Sequence, residues 1–184
     1  MKTVSQFRKD PVSGEWIIIA TGRGKRPHTF LKKKKERLEQ PIEECPFENP
    51  QKSGNLAPLL EYLKNGEWFL QVIPNKYPAL SKPPPGYLLC PKEIKKIPYS
   101  ILEGLGFHEV IITRHHSRQL AEFSPKEIEL VLKAYQERYL TLENKSCVKY
   151  ILIFHNHGPT AGASISHPHS QLMALPIIPP TALN

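Results

Sequence analysis

The sequence predicts an α+β fold, a largely antiparallel sheet with one long helix packed on a face. Three observations predict it. Several short stretches alternate apolar and polar residues and stop at Gly, Pro, Asn or a polar cluster. One longer stretch carries helical spacing behind a cap signature. Nineteen prolines gather in the connections, where a fixed φ and a missing N–H do least damage. At 184 residues and 40% hydrophobic content, the chain can build one core, and the expectation is a single domain over 1–184.

Taken in order, "GEWIIIATG" (14–22), "GEWFLQVIPN" (66–75), "FHEVIITRH" (107–115) and "VKYILIFHN" (148–156) read as four strands. The helix lies between the third and fourth, in "SPKEIELVLKAYQERYLTLEN" (124–144). Ser124 stands at the N-cap, Pro125 at the first helical position, and Glu127 completes a capping box. Ile128, Val131, Leu132, Tyr135, Tyr139 and Leu142 follow the spacing of one buried stripe. "HSQLMALPII" (169–178) reads as a fifth strand. "IPNKYPALSKPPPGYLLCPKEIKKIP" (73–98) reads as an extended cover over the sheet with no added helix.

The formal charge is +8, and residues 1–40 hold eleven Lys/Arg against four Asp/Glu, so the excess is local. That argues against a uniformly basic nucleic-acid binder and for anionic partners near the N-terminal end. The run "KKKKERLEQ" from Lys32 reads first as a solvated loop, with nuclear targeting or nucleic-acid contact as alternatives. No stretch approaches the roughly 18 apolar residues of a membrane span, and "MKTVSQFRKD" has no signal-peptide core. Three cysteines are too few for a disulfide framework, so a cytoplasmic protein is expected, with Cys90 and Cys147 as ordinary buried or half-buried thiols.

Chemistry concentrates in "HNHGPTAGASISHPHSQ" (155–171), which holds four of the eight histidines. On an extended strand His167, His169 and Gln171, two apart, point to one face. Upstream, Gly158, Gly162, Ser164 and Ser166 offer small residues and hydroxyls that can approach an anion closely. A nucleophile beside an anion cradle suits phosphoryl or nucleotidyl transfer, where catalysis is mostly positioning and charge stabilisation. Imidazole attacks phosphorus at neutral pH without a separate base. His155 and His157 read as loop residues.

"FHNHGPTAGASISHPHSQL" resembles the active-site segment of the galactose-1-phosphate uridylyltransferase family, the nucleotidyltransferase branch of the histidine-triad superfamily. In that family the third triad histidine is a glutamine, and Gln171 occupies the place. "DPVSGEWIIIATGRGKRP" is similar to the family's opening strand and arginine loop, "CPFENP" to its metal-binding turn, "VIPNKYPAL" to its nucleoside-binding segment, and "HEVIITRHHSRQLAE" to the strand and turn before its helix. The resemblance implies a histidine-triad-like fold. It implies UDP-glucose and galactose 1-phosphate as substrates, with His169 attacking the α-phosphorus and Gln171 donating to a phosphoryl oxygen. Ser164 and Gly162 are then expected to hold phosphates, Phe154 and Asn156 to line the pocket, Arg23 and Arg26 to face the diphosphate, and Asn75 and Tyr77 to meet the uridine. A nucleotide-sugar phosphorylase or hydrolase of the same superfamily, or a non-catalytic nucleotide-binding remnant, are the alternatives.

The resemblance also implies a structural zinc. Cys45 matches the first family cysteine, His116 and His167 the histidines, and Glu48 stands where the second cysteine belongs; a carboxylate oxygen binds zinc at similar reach. His116 is preferred to His115, since successive residues of an extended segment face opposite ways. Family enzymes consist of two related halves, and the resemblance covers the first. A homodimer or a separate C-terminal half is therefore the expected partner.

Overall fold

In the computed structural model of the chain, the residues described are 5–25, 41–86, 90–95, 98–158, 161 and 163–183. Gln6–Lys9 (β1) and Trp16–Ile19 (β2) form a hairpin whose turn is set by Asp10, with Oδ1 accepting the Val12 N–H at 2.8 Å, and by Gly14 at φ 74°. Leu60–Lys64 (β3) and Glu67–Pro74 (β4) form a second, closed by Asn65 and Gly66 at φ 54° and 80°, the two positive angles a tight hairpin turn demands. Ile94–Lys95 (β5), Ser100–Glu103 (β6) and Phe107–Thr113 (β7) follow. Then come the helix Pro125–Glu143 (α1) and the strands Tyr150–Asn156 (β8) and His169–Leu175 (β9).

The strands form two antiparallel sheets, ordered β2-β1-β6-β5 and β3-β4-β7-β9-β8. The antiparallel α+β architecture with one long helix is the one expected from the sequence, with the strands divided between two sheets where one was expected, and four strands went unread. β1 and β3 bury little, and β5 has two residues, so none carries a long apolar alternation. An isolated parallel bridge joins Ser81 to Leu105 within and beside the proline-rich stretch.

The helix starts as its cap signature requires. Ser124 Oγ accepts the Glu127 N–H, and Glu127 Oε2 accepts the Ser124 N–H at 2.9 Å, a reciprocal pair of the kind worth about 1 kcal/mol. The buried stripe differs in part from the expected one. Val131, Ala134 and Leu142 are buried, with Ile128, Leu130 and Tyr135 beside them, while Leu132 and Tyr139 are 57% and 42% exposed. Helical spacing fits two adjacent lines of residues equally well; the sheet covers only one.

Alternation assigns the two faces of the five-stranded sheet. Val72, Ile111, Leu172 and Ala174 pack against Val131, Ala134 and Leu142 of α1. The opposite face meets two groups. Met173 and Leu175 join Phe7, Leu80 and Leu102, and Ile73, Val110 and Ile112 join Cys45 and Phe47. The helix-free face of β9 is therefore apolar at its C-terminal end and polar at its N-terminal end, where the candidate residues sit.

Cys90 and Cys147 are joined in a disulfide with Cα atoms 5.0 Å apart, which corrects the expectation of two ordinary thiols. The proline-rich stretch folds back to the turn before β8, bringing together residues 57 apart in sequence; Cys45 stays free and buried. Among the described residues no helix is long and apolar enough to cross a membrane.

Candidate functional site

His169 and Gln171 stand at the start of β9, the strand between β7 and β8, where Gln171 lies opposite Val110 and Phe154, and His169 opposite Ile112 and Asn156. Ser170, between them, faces the helix, where its hydroxyl meets Tyr135 Oη and His155 Nδ1. His169 and Gln171 consequently share the helix-free face, and His167 reaches the same side from the residue pair ahead of the strand.

Two backbone carbonyls decide what each histidine can do. The His169 Nδ1–H donates to the His167 carbonyl at 2.9 Å, which makes Nε2 the nitrogen bearing the lone pair. The His169 ring is 6% exposed, with the edge of Phe47 at 5.2 Å between centroids. In His167 the pattern inverts. Nε2–H donates to the Thr113 carbonyl at 2.8 Å, so the lone pair lies on Nδ1. That atom faces Cys45 Sγ and Glu48 Oε1, each at 3.5 Å.

Gln171 is held from three directions. Its Oε1 lies 2.7 Å from His108 Nε2 and accepts from Asn75 Nδ2 at 3.4 Å, while its Nε2 donates to Asn156 Oδ1. Asn75 Oδ1 takes the Tyr77 N–H at 2.9 Å, so the "NKYPAL" turn shapes itself around the same cluster. His108 was not among the residues read from the sequence. It lies on β7 two residues before Val110, on the face opposite Glu109, and the alternation of "FHEVIITRH" already placed it on the side of Gln171.

Cys45, Glu48, His116 and His167 come together with their ligand atoms within 4.8 Å of one another, Cys45 and His167 buried and the other two half-buried. Tetrahedral zinc with bonds of about 2.0–2.3 Å requires ligand separations of about 3.3–3.8 Å. The 3.5 Å distances from His167 Nδ1 to sulfur and carboxylate match, while the 2.8 Å from His116 Nδ1 to Glu48 Oε1 is a hydrogen-bond distance, shorter than two ligands of one ion stand apart. Burial lowers the pKa of His167, keeping it neutral as a ligand must be, and raises that of Cys45, whose proton a bound cation would displace. The donor set fits a zinc ion. His115 turns away, with Arg118 Nη1 3.2 Å from its Nε2 and its ring set edge-on to Phe69 and tilted against Phe123.

The other expected residues are more dispersed. Phe154 is half-buried among the cluster around Met173, Ser164 is half-buried in the loop leading to His167, and Arg23 sits in the short 3-10 turn after β2. Arg26 and Gly162 lie outside the described residues, as does the lysine run from Lys32.

The chain is similar to several known proteins. Over 179 residues the chain is 37% identical to an ADP-glucose phosphorylase of Arabidopsis thaliana, covering 96% of this chain and 50% of that protein. It is 32% identical over 176 residues to a galactose-1-phosphate uridylyltransferase of Thermotoga maritima, covering 95% and 48%. The crystal structure of an ADP-glucose phosphorylase from Arabidopsis thaliana with bound ADP-glucose superposes with a TM-score of 0.59 at 34% identity, over 95% of this chain and 50% of the other. The chain therefore spans about half the length of these relatives. Residues 1–179 match the family described as galactose-1-phosphate uridyl transferase, N-terminal domain, and the chain belongs to that family.

Proposed function

We propose that the protein transfers a nucleotidyl group from a nucleotide sugar through a covalent nucleotidyl-histidine at His169, exchanging UMP between UDP-glucose and galactose 1-phosphate. The observation that carries this reading is the tautomer of His169. A carbonyl holds the Nδ1 proton, and the lone pair on Nε2 is the electron pair an attack on phosphorus needs. In the first step Nε2 bonds to the α-phosphorus, the bond to the bridging oxygen breaks, and glucose 1-phosphate leaves with that electron pair. The imidazolium so formed keeps its Nδ1–H on the His167 carbonyl, whose partial negative charge stabilises it. In the second step a phosphate oxygen of galactose 1-phosphate attacks the same phosphorus and the P–N bond breaks.

Gln171 supports the reading as a neutral donor. Its amide N–H offers hydrogen to a phosphoryl oxygen as negative charge gathers there, a kind of contact worth about 10²–10³ in rate. Ser164, with Gly162, is assigned to the phosphates; Arg23 and Arg26 to the diphosphate charge; Asn75, Tyr77, Phe154 and Asn156 to the nucleoside side. Zinc held by Cys45, Glu48, His116 and His167 would supply structural rigidity, fixing His167 and so the carbonyl that orients His169.

A second reading has one observation in its favour, the 37% identity to a protein named as an ADP-glucose phosphorylase. There the donor is ADP-glucose and inorganic phosphate takes the nucleotidyl group, with the His169 chemistry unchanged. One experiment addresses both. Protein is incubated with UDP-glucose or ADP-glucose labelled at the α-phosphorus, and acid-labile label on His169 is expected from the true donor. Discharge by galactose 1-phosphate supports transfer, discharge by phosphate supports phosphorolysis, and release of the nucleoside monophosphate without acceptor indicates hydrolysis. A His169→Ala protein that still takes label would refute the nucleophile assignment.

A further inference from the structure

We propose that His108 is a positioning residue for Gln171, fixing which end of the Gln171 carboxamide faces the phosphoryl group; the inference rests on the nucleotidyl-transfer reading above. His108 is 6% exposed and both ring nitrogens are engaged. The Ala79 backbone N–H, which can only donate, reaches Nδ1 at 3.0 Å. Nδ1 is therefore the acceptor and Nε2 carries the proton. Nε2 lies 2.7 Å from Gln171 Oε1, so the imidazole donates and the carboxamide oxygen accepts.

Asn75 Oδ1 is held by the Tyr77 N–H, so its Nδ2 faces the cluster, 3.1 Å from His108 Nε2 and 3.4 Å from Gln171 Oε1; with the proton on His108 Nε2, of these two only the Gln171 oxygen can accept from it. Two donors thus converge on one oxygen, and the Gln171 NH₂ is turned toward Asn156 and the start of β9. A carboxamide is nearly symmetric in shape, and nothing in its own torsions prevents a half-turn. Flipped, it would direct oxygen lone pairs at the phosphoryl oxygens and replace a donor with a repulsion. The Ala79–His108 contact also ties the orientation of Gln171 to the "NKYPAL" segment, since the ring that orients the amide is itself anchored there.

Two isosteres separate anchor from donor. In His108→Asn, Oδ1 can take the place of Nδ1 and keep the Ala79 bond, but nothing reaches Gln171. In His108→Gln, the amide nitrogen can take the place of Nε2. The test is the single-turnover rate of label transfer from α-labelled UDP-glucose or ADP-glucose to His169, with nucleotide-sugar binding measured alongside. His108→Asn is expected to slow transfer about 10- to 100-fold, with binding changed less than about threefold. His108→Gln should restore most of the rate, and adding His108→Asn to Gln171→Ala should cost nothing further. A His108→Asn protein that labels at the parent rate, or a loss additive with Gln171→Ala, overturns this inference and leaves the nucleotidyl-transfer reading intact. An unlabelled parent protein overturns that reading. A ¹⁵N spectrum of the parent with the His108 proton on Nδ1 overturns the inference without any variant.

Discussion

Arg138 of α1 and Glu109 of β7 form the contact through which the helix grips the strand next to β9. Arg138 Nε donates to Glu109 Oε2 at 2.9 Å and Nη2 to Oε1 at 2.8 Å, with side chains 11% and 5% exposed. The hydrogen bonds to Glu109 raise the Arg138 pKa, and both side chains are out of water. Arg138→Met leaves the Glu109 carboxylate buried without its partner, which costs about 3–5 kcal/mol. Replacing both, as Glu109→Leu with Arg138→Met, removes two desolvation penalties along with the attraction and should return to within about 1–2 kcal/mol of the parent. The assay is urea unfolding of the four proteins of the cycle. With m near 2 kcal/mol/M, the single variant should unfold about 1.5–2.5 M earlier and the double variant close to the parent. A loss below about 1 kcal/mol for Arg138→Met at unchanged m would refute the reasoning, since it would mean that the pair is solvated in the native state.

Chelation should lower the Tm of zinc-loaded protein, by an amount equivalent to about 2.7 kcal/mol where free metal had been at 100 times its dissociation constant; Glu48→Cys should hold zinc more tightly in a chelator competition, and His167→Ala should lose it. An unchanged Tm after metal removal would dismiss the site. The Glu127 carboxyl, 7% exposed, is held well below the usual carboxylate range, first by Lys64 at 2.9 Å, then by the Ser124 N–H, with Arg118 adding to it. Its folded pKa is depressed, so the stabilisation is present above the unfolded value near 4.5 and fades as pH falls below it. Glu127→Gln should therefore flatten the acid limb of a stability-against-pH curve, and an unaltered limb would contradict the assignment. Gly106→Ala would place a Cβ 2.3 Å from the Ala174 carbonyl oxygen, and a loss of about 2–4 kcal/mol or failure to fold is expected by thermal unfolding.

What could be read from the sequence followed the strength of local signals. α1 was legible because Ser124, Pro125 and Glu127 act within one turn, β4, β7 and β9 because each buries much of its length, and β8 because its apolar run Tyr150–Phe154 is unbroken although none of its residues is fully buried. β1 was not, since only Phe7 of its four residues is buried. β3 is an edge strand with no buried residue, although the Asn65-Gly66 turn that joins it to β4 was a hairpin signal in plain view. Cys90 and Cys147 gave no sign of pairing, because the path of a proline-rich stretch is set by tertiary contacts. The metal-ligand set spans 122 residues between Cys45 and His167, and only family resemblance, not periodicity, could associate them. His108 was within reach of alternation, but its residue type did not announce a role until Ala79 and Gln171 were placed at its two nitrogens.

The two histidines of "HPHSQ" present the sharper problem, for identical side chains two residues apart are proposed to do different chemistry. Strand alternation cannot distinguish them, since it sends both to one face. The distinction is made by the backbone. The Thr113 carbonyl, where β7 ends, takes the Nε2 proton of His167 and leaves Nδ1 for the cysteine and carboxylate side. The His167 carbonyl accepts the Nδ1–H of His169 and leaves the lone pair on Nε2, the atom proposed to attack phosphorus. The second arrangement depends on the first: His167 contributes its ring to the ligand cluster and its carbonyl to the nucleophile, so whatever fixes the ring also fixes the carbonyl. Disturbing Cys45 or Glu48 should then slow nucleotidylation of His169 without either residue touching substrate. Their proposed role is to hold the peptide group that keeps the proton off Nε2.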